Sequence, residues 1–157
     1  MPSSRKAIAA VLQLLKETGH GGSIVDFGSG WGSACFAVSR AFPDQEVRGY
    51  ENSPVPYLYC ILANLLFRRR NLRFFYRNFH SVTLDDAGVV LCYLYPGAMA
   101  TLKPKFEQEL GPGTVVVSNT FAMRQWSPRR IVELKDIYRT QIYLYVMGDS
   151  EFSRKRQ

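Results

Sequence analysis

A chain of 157 residues, 46% hydrophobic and 21% charged, has the balance of one globular domain; this excludes a disordered or fibrous chain and a disulfide framework. Twenty lysines and arginines against 13 acids give a net charge of +7, which favours an acidic partner such as nucleic acid or an acidic protein face. The three cysteines, Cys35, Cys60 and Cys92, stand apart with no CxxC pair, so metal ligation and redox exchange are disfavoured. They read as buried small hydrophobes in a reducing, cytoplasmic setting.

The chain opens with an amphipathic helix. Ile8, Val11, Leu12 and Leu15 fall at i, i+3, i+4 and i+7, with Ser3 or Ser4 as the cap and Gly19 as the stop. Gln13, Lys16 and Glu17 make this stretch a poor signal peptide. A strand over 23–27 leads into the turn Gly28-Ser29-Gly30-Trp31-Gly32, and a helix follows to Phe42, stopped by Pro43-Asp44. The spacing predicts a second strand over 46–50. Next comes a helix capped by Ser53, with Pro54 at its first position, running to Arg68-Arg69-Arg70 at its negative C-terminal end. Strands are expected over 72–76 and 88–94, the latter apolar throughout as in a strand buried on both faces. A helix over 97–110 is broken by Gly111-Pro112-Gly113 before a strand over 114–118, and 131–134 and 141–147 read as two more strands. Arg154-Lys155-Arg156 is expected to fray. The apolar run over 58–67 is half the length needed to cross a bilayer, so the chain is expected to be soluble with no membrane partner.

Strands alternating with helices imply an α/β fold: an open, mostly parallel Rossmann-like sheet with helices on both faces, within one domain over 1–157. The 119–130 stretch is short for a helical crossover, so the last crossover helix is expected to be reduced or absent.

A strand, the pattern Asp26-x-Gly28-x-Gly30-x-Gly32 and a helix make a ligand cradle, because glycines admit close backbone approach and the helix start offers free N–H groups. Glu51, 19 residues past Gly32, stands where a carboxylate grips both hydroxyls of a ribose. Ser33 replaces the last glycine or alanine of a dinucleotide fingerprint, and no G-K-[ST] of a P-loop is present. Asp26 beside the loop would repel a pyrophosphate and suit an ammonium group. These residues therefore fit S-adenosylmethionine better than NAD.

At this point the sequence resembles the class I, seven-strand S-adenosylmethionine-dependent methyltransferases, through the 25–32 segment VDFGSGWG and the acidic loop Gly49-Tyr50-Glu51-Asn52. The string from Leu102 to Ser118 (LKPKFEQELGPGTVVVS), with Phe121, Arg124, Trp126, Pro128 and Tyr143-Leu144-Tyr145-Val146, resembles more narrowly the archaeal protein-lysine methyltransferases and their mitochondrial relatives. The resemblance implies methyl transfer from S-adenosylmethionine to the side-chain amine of lysine in proteins. Asp26, Gly28, Ser29, Gly30, Gly32, Glu51, Asn52, Asn78 and Phe79 would bind the cofactor, the last two at the adenine. Where many amine-directed relatives carry Asn/Asp-Pro-Pro-Tyr, this chain reads Tyr93-Leu94-Tyr95-Pro96.

The transfer needs positioning and a neutral amine more than acid–base groups. Tyr93 and Tyr95 either present aromatic faces to the cationic centre, as the catalytic candidates, or serve as strand packing. Pro96, Phe121 and Trp126 are the substrate-side candidates, Trp126 being alternatively a cap on the sheet edge. His80 reads as a loop histidine, since no carboxylate is paired with it. Phe74, Phe75 and Tyr76 read as strand core. Arg68, Arg69, Arg70, Arg73 and Arg77 have no acid between Asn52 and Leu84 to balance them, and form either a solvated helix end or a docking surface. The expected partners are proteins with exposed lysines, acidic ones included. RNA or small-molecule methylation, or non-catalytic cofactor binding, is the alternative.

Overall fold

The computed structural model describes residues 4–149; Ser3 and the 154–157 tail lie outside them. The elements are α1 (Arg5–Thr18), β1 (Ser23–Phe27), α2 (Ser33–Ala41), β2 (Val47–Glu51), α3 (Pro54–Phe67), β3 (Leu72–Tyr76), a 3-10 turn (Phe79–Ser81), β4 (Ala87–Cys92), α4 (Pro96–Glu109), β5 (Val115–Asn119), β6 (Arg130–Glu133) and β7 (Gln141–Val146). The strands form one seven-stranded sheet in the order β3-β2-β1-β4-β5-β7-β6. β3, β2, β1, β4 and β5 run parallel, and β7 is antiparallel to both β5 and β6. Strand order reverses between β1 and β4, which opens a crevice at their carboxyl ends.

Alternation along the strands divides the core into two layers. Ile24, Val89, Leu91, Val115 and Val117 meet Ala7, Leu14 and Leu15 of α1, Cys35 and Val38 of α2 and Cys60 of α3. Val25, Phe27, Val90, Cys92 and Val116 meet Met99, Leu102, Phe106 and Leu110 around α4. All three cysteines are buried thiols. Ser4 caps α1 by accepting a hydrogen bond from the Ala7 N–H at 3.1 Å.

Four local expectations are corrected. The Ser53 hydroxyl makes no capping bond to α3, where Pro56 at the third position has no N–H to give it; separately, the Ser53 backbone N–H donates to the Glu51 carboxylate. Arg68 is the left-handed residue that ends α3, so the arginines follow the helix rather than occupying its last turn. β3 is an edge strand, and only Phe74 of its aromatic run is buried, while Tyr76 is exposed. β4 also stops at Cys92, two residues early, which leaves Tyr93 and Leu94 on the following loop.

No helix links β5 to β6, as the short 119–130 stretch requires. Met123 and Trp126 fill the second layer in its place, and the Tyr145 hydroxyl accepts a hydrogen bond from the Met123 N–H at 3.0 Å. Tyr145 is fully buried. Tyr145→Phe is therefore expected to leave that N–H unsatisfied and to cost about 1–2 kcal/mol, read as a lower urea midpoint at unchanged slope.

Candidate functional site

The crevice at the switch point is a cavity of about 500 Å3, within the range of a cofactor site. Its wall takes Asp26 from β1, the glycine loop, Glu51 from the end of β2, Asn78-Phe79-His80 after β3 and Tyr93-Leu94-Tyr95 after β4.

The loop is tied to β2 along its length. Gly28 and Ser29 both donate their N–H to the Tyr50 carbonyl, at 3.0 and 3.1 Å. Gly30 donates its N–H to Glu51 Oε2 at 2.8 Å, and its carbonyl accepts the Cys60 thiol at 3.2 Å. Gly32 has φ +74°, and an added Cβ would lie 2.9 Å from Cys60 Sγ and 3.0 Å from the Phe74 ring, so glycine is required there.

Glu51 is buried at the floor of the cavity. Its Oε1 accepts the N–H groups of Asn52 (2.9 Å) and Ser53 (2.8 Å), and with Gly30 on Oε2 three of about four acceptor positions are used. The carboxylate is thereby fixed in orientation with acceptor capacity left over.

Asp26 is buried, and its one side-chain hydrogen bond is from the Cys35 thiol at 3.2 Å. No cation pairs with it among the described residues. Burial pushes its carboxyl up to about 7; the thiol bond opposes this, and the nearby Glu51 charge adds to it. Burial and Asp26 push the Cys35 thiol up, burial with the Glu51 and Asp26 carboxylates pushes that of Cys60 to about 12, and burial with Asp26 likewise raises Cys92. None of the three is a nucleophile at neutral pH. The Ser29 hydroxyl borders the cavity, buried and without a hydrogen-bond partner among the described residues. A carboxyl without a cation, an orphaned hydroxyl and a carboxylate with acceptor capacity left make a polar wall shaped for a ligand bearing an ammonium group and vicinal hydroxyls.

Asn78 accepts the His80 N–H through its side chain at 3.0 Å, which fixes the 3-10 turn that carries Phe79 to the cavity. His80 lies 3.3 Å from the Thr101 hydroxyl and meets no carboxylate among the described residues. Tyr93 is half-buried and Tyr95 exposed, and Pro96 begins α4 immediately beyond them. A second, slender cleft of about 30 Å3 shares Asp26, Ala34 and Tyr93 with the cavity and is otherwise walled mainly by apolar residues such as Ile8 and Val11 of α1 and Val117 of β5, with Asn119 at one side.

Two substrate-side candidates lie elsewhere. Trp126 is buried against Phe106 and Tyr145, and its indole N–H donates to Glu107 Oε1 at 3.1 Å. Phe121 packs on the same layer, and neither residue borders the cavity. For Trp126, packing replaces the substrate-entrance reading.

The family model described as the ANTKMT methyltransferase domain matches residues 26–130. The chain belongs to that family. It is a methyltransferase, with S-adenosylmethionine as the methyl donor. Over 153 residues the chain is 29% identical to a protein-lysine N-methyltransferase of Saccharolobus islandicus, covering 95% of this chain and 93% of the relative. A crystal structure of an RNA methyltransferase from Salinibacter ruber in complex with S-adenosyl-L-homocysteine is 27% identical, covers 95% of each chain and superimposes with a TM-score of 0.80. The putative methyltransferase yhhF from Escherichia coli shares the fold, with a TM-score of 0.71 at 15% identity, covering 93% of this chain and 87% of that one.

Within this methyltransferase, sequence reasoning missed Ser33, Ala34, Ser53 and Pro56 on the cavity wall and Ile8 and Val11 on the cleft. The helix-start signature Ser53-Pro54 was the available signal for Ser53 and Pro56, and the glycine loop before α2 for Ser33 and Ala34. For the cleft no local signal exists, because α1 reaches the sheet only through tertiary packing.

Proposed function

We propose that the protein transfers a methyl group to the side-chain amine of lysine in proteins. Bound S-adenosylmethionine supplies an electrophilic methyl on a sulfonium. Asp26 and the Ser29 hydroxyl would hold its amino-acid end, Glu51 its ribose diol with Asn52 alongside, Asn78 and Phe79 its adenine, and Gly28, Gly30 and Gly32 let the backbone come close. Tyr93 and Tyr95, on the cavity wall, would offer aromatic faces to the cationic centre, and the half-buried Tyr93 side would help the amine enter without its proton. Pro96 sets the backbone at that rim. The amine lone pair forms the new C–N bond as the C–S bond breaks, and the product ammonium loses its proton to solvent.

The observation that carries the lysine reading is the archaeal relative, matched along nearly the whole chain. The narrow cleft beside Asp26 supports it. Its wall is mainly apolar, which suits the methylene stem of a lysine side chain. RNA methylation is the second reading, favoured by the Salinibacter ruber structure and by the +7 charge. Incubation with labelled cofactor and a cell lysate, followed by separate protease and RNase digestion, tests both. Protease-sensitive label on peptides with methylated lysine is expected, and label released only by RNase establishes the second reading instead.

A further inference from the structure

From Pro54 to Phe67, α3 contains no charged residue, yet Cys60 is its only fully buried one. Val55, Leu58, Tyr59, Leu62, Leu65 and Leu66 all face solvent, the last two 74% and 79% exposed. Their spacing of 0, 3, 4, 7, 10 and 11 is a helical period, so they form one stripe, opposite the Cys60 side that packs on the sheet. The inward face, with Tyr57, Cys60 and Ile61, is apolar as well, so α3 lacks the polar solvent face of an ordinary surface helix. Trp31 on the glycine loop, 46% exposed, extends the stripe by setting its ring edge-on to Tyr59 at 5.2 Å. Five arginines border the other end: Arg68, Arg69 and Arg70 past the helix, and Arg73 and Arg77 on and after the edge strand β3. Among the described residues only Arg73 of the five has an ion pair, with Glu46 at 3.8 Å between exposed side chains.

We propose that α3 docks on an anionic lipid surface, with its apolar stripe sunk into the headgroup–acyl boundary and the arginines on lipid phosphates. This departs from the expectation of no membrane contact, which concerned spanning segments; no helix among the described residues is long and apolar enough to cross. At 14 residues α3 is about 21 Å long, suited to lying along an interface. Trp31 and Tyr59 are the side chains that settle at headgroup level. Charge selects this occupant over a second copy of the chain. A symmetric dimer through the stripe would leave the arginines without acidic partners, because the 53–83 segment that each copy presents contains no acid. An acidic protein face matches the arginines and leaves the stripe unmatched, whereas an anionic bilayer satisfies both at once.

The test is flotation of the full chain with vesicles of phosphatidylcholine alone or mixed with phosphatidylglycerol, at low and high salt. Co-flotation with the mixed vesicles is expected, weakened by salt, together with a blue shift of tryptophan emission. The shift reports Trp31, because Trp126 is already buried. Leu62→Glu with Leu66→Glu, and separately Arg69→Glu with Arg70→Glu, should each lower partitioning on the order of tenfold or more. All four residues lie off the cofactor cavity, so circular dichroism and cofactor affinity should be unchanged in the variants. Absence of flotation at low salt overturns the proposal, as do variants that float like the parent. A dimer that the leucine variant dissociates, without vesicle binding, assigns the stripe to a second copy. Retention on RNA without flotation assigns the arginines to nucleic acid. Either result overturns the lipid proposal while leaving methyl transfer untouched.

Discussion

Glu51→Ala is expected to bind S-adenosylmethionine on the order of 100-fold more weakly, about 2–3 kcal/mol, in titration calorimetry. The carboxylate has two tasks that alanine removes together. It holds the Gly30, Asn52 and Ser53 N–H groups, and so shapes the loop and the start of α3. Its remaining acceptor capacity is what the proposal assigns to the ribose hydroxyls. Three backbone donors in a part-buried wall lose their acceptor in the variant, so stability should fall as well, by about 2 kcal/mol. Glu51→Gln separates the tasks. The amide still accepts through one oxygen but cannot serve donors on both sides, so it should recover stability more than affinity. An alanine variant that folds and binds the cofactor like the parent would remove Glu51 from the site.

Much of this was legible in the sequence because it rests on local chemistry. Glycines at 28, 30 and 32 after a five-residue strand announce a turn that ligands approach, and β1 lies at the 23–27 boundaries that the pattern implies. The short 119–130 stretch correctly excludes a crossover helix. What failed depends on partners that sequence spacing cannot see. Ser53 looks like a cap, but Pro56 at the third helical position has no N–H to donate to its hydroxyl. Trp126 looks like an entrance residue, but the missing helix leaves a void that its ring fills. Tyr76 reads as core because aromatic strands usually are, yet β3 is an edge with one side in solvent. The string from Leu102 to Ser118, which carries the narrower family resemblance, buries Leu102, Phe106, Leu110, Val116 and Val117. Its apolar positions are core packing, so its power to identify the family says little about substrate contact.

Cofactor affinity should rise on the order of tenfold or more between pH 5.5 and pH 8, and Asp26 is the group responsible. In the free protein its pKa stands near 7, against 3.8 in an unfolded chain, because the carboxylate is buried with no cation beside it. The folded state therefore binds more protons than the unfolded state between those values. Its stability should fall as pH rises through that window, the reverse of a salt-bridged carboxylate. A ligand ammonium against Asp26 supplies the missing cation and returns its pKa toward the ordinary range, so binding at lower pH must expel a proton. Calorimetry in buffers of different ionisation enthalpy should register about one proton released per cofactor near pH 6, fading above pH 8. The other titratable groups facing Asp26 are Glu51, which is already held by three N–H groups, and the Cys35, Cys60 and Cys92 thiols, which stay protonated throughout. His80 also borders the cavity, so Asp26→Asn is the necessary control. That variant should bind more weakly at pH 8, lose the proton release and show a flat affinity profile. A wild-type profile as flat as that of the variant would mean that the ammonium is held elsewhere and that Asp26 is only a buried acid.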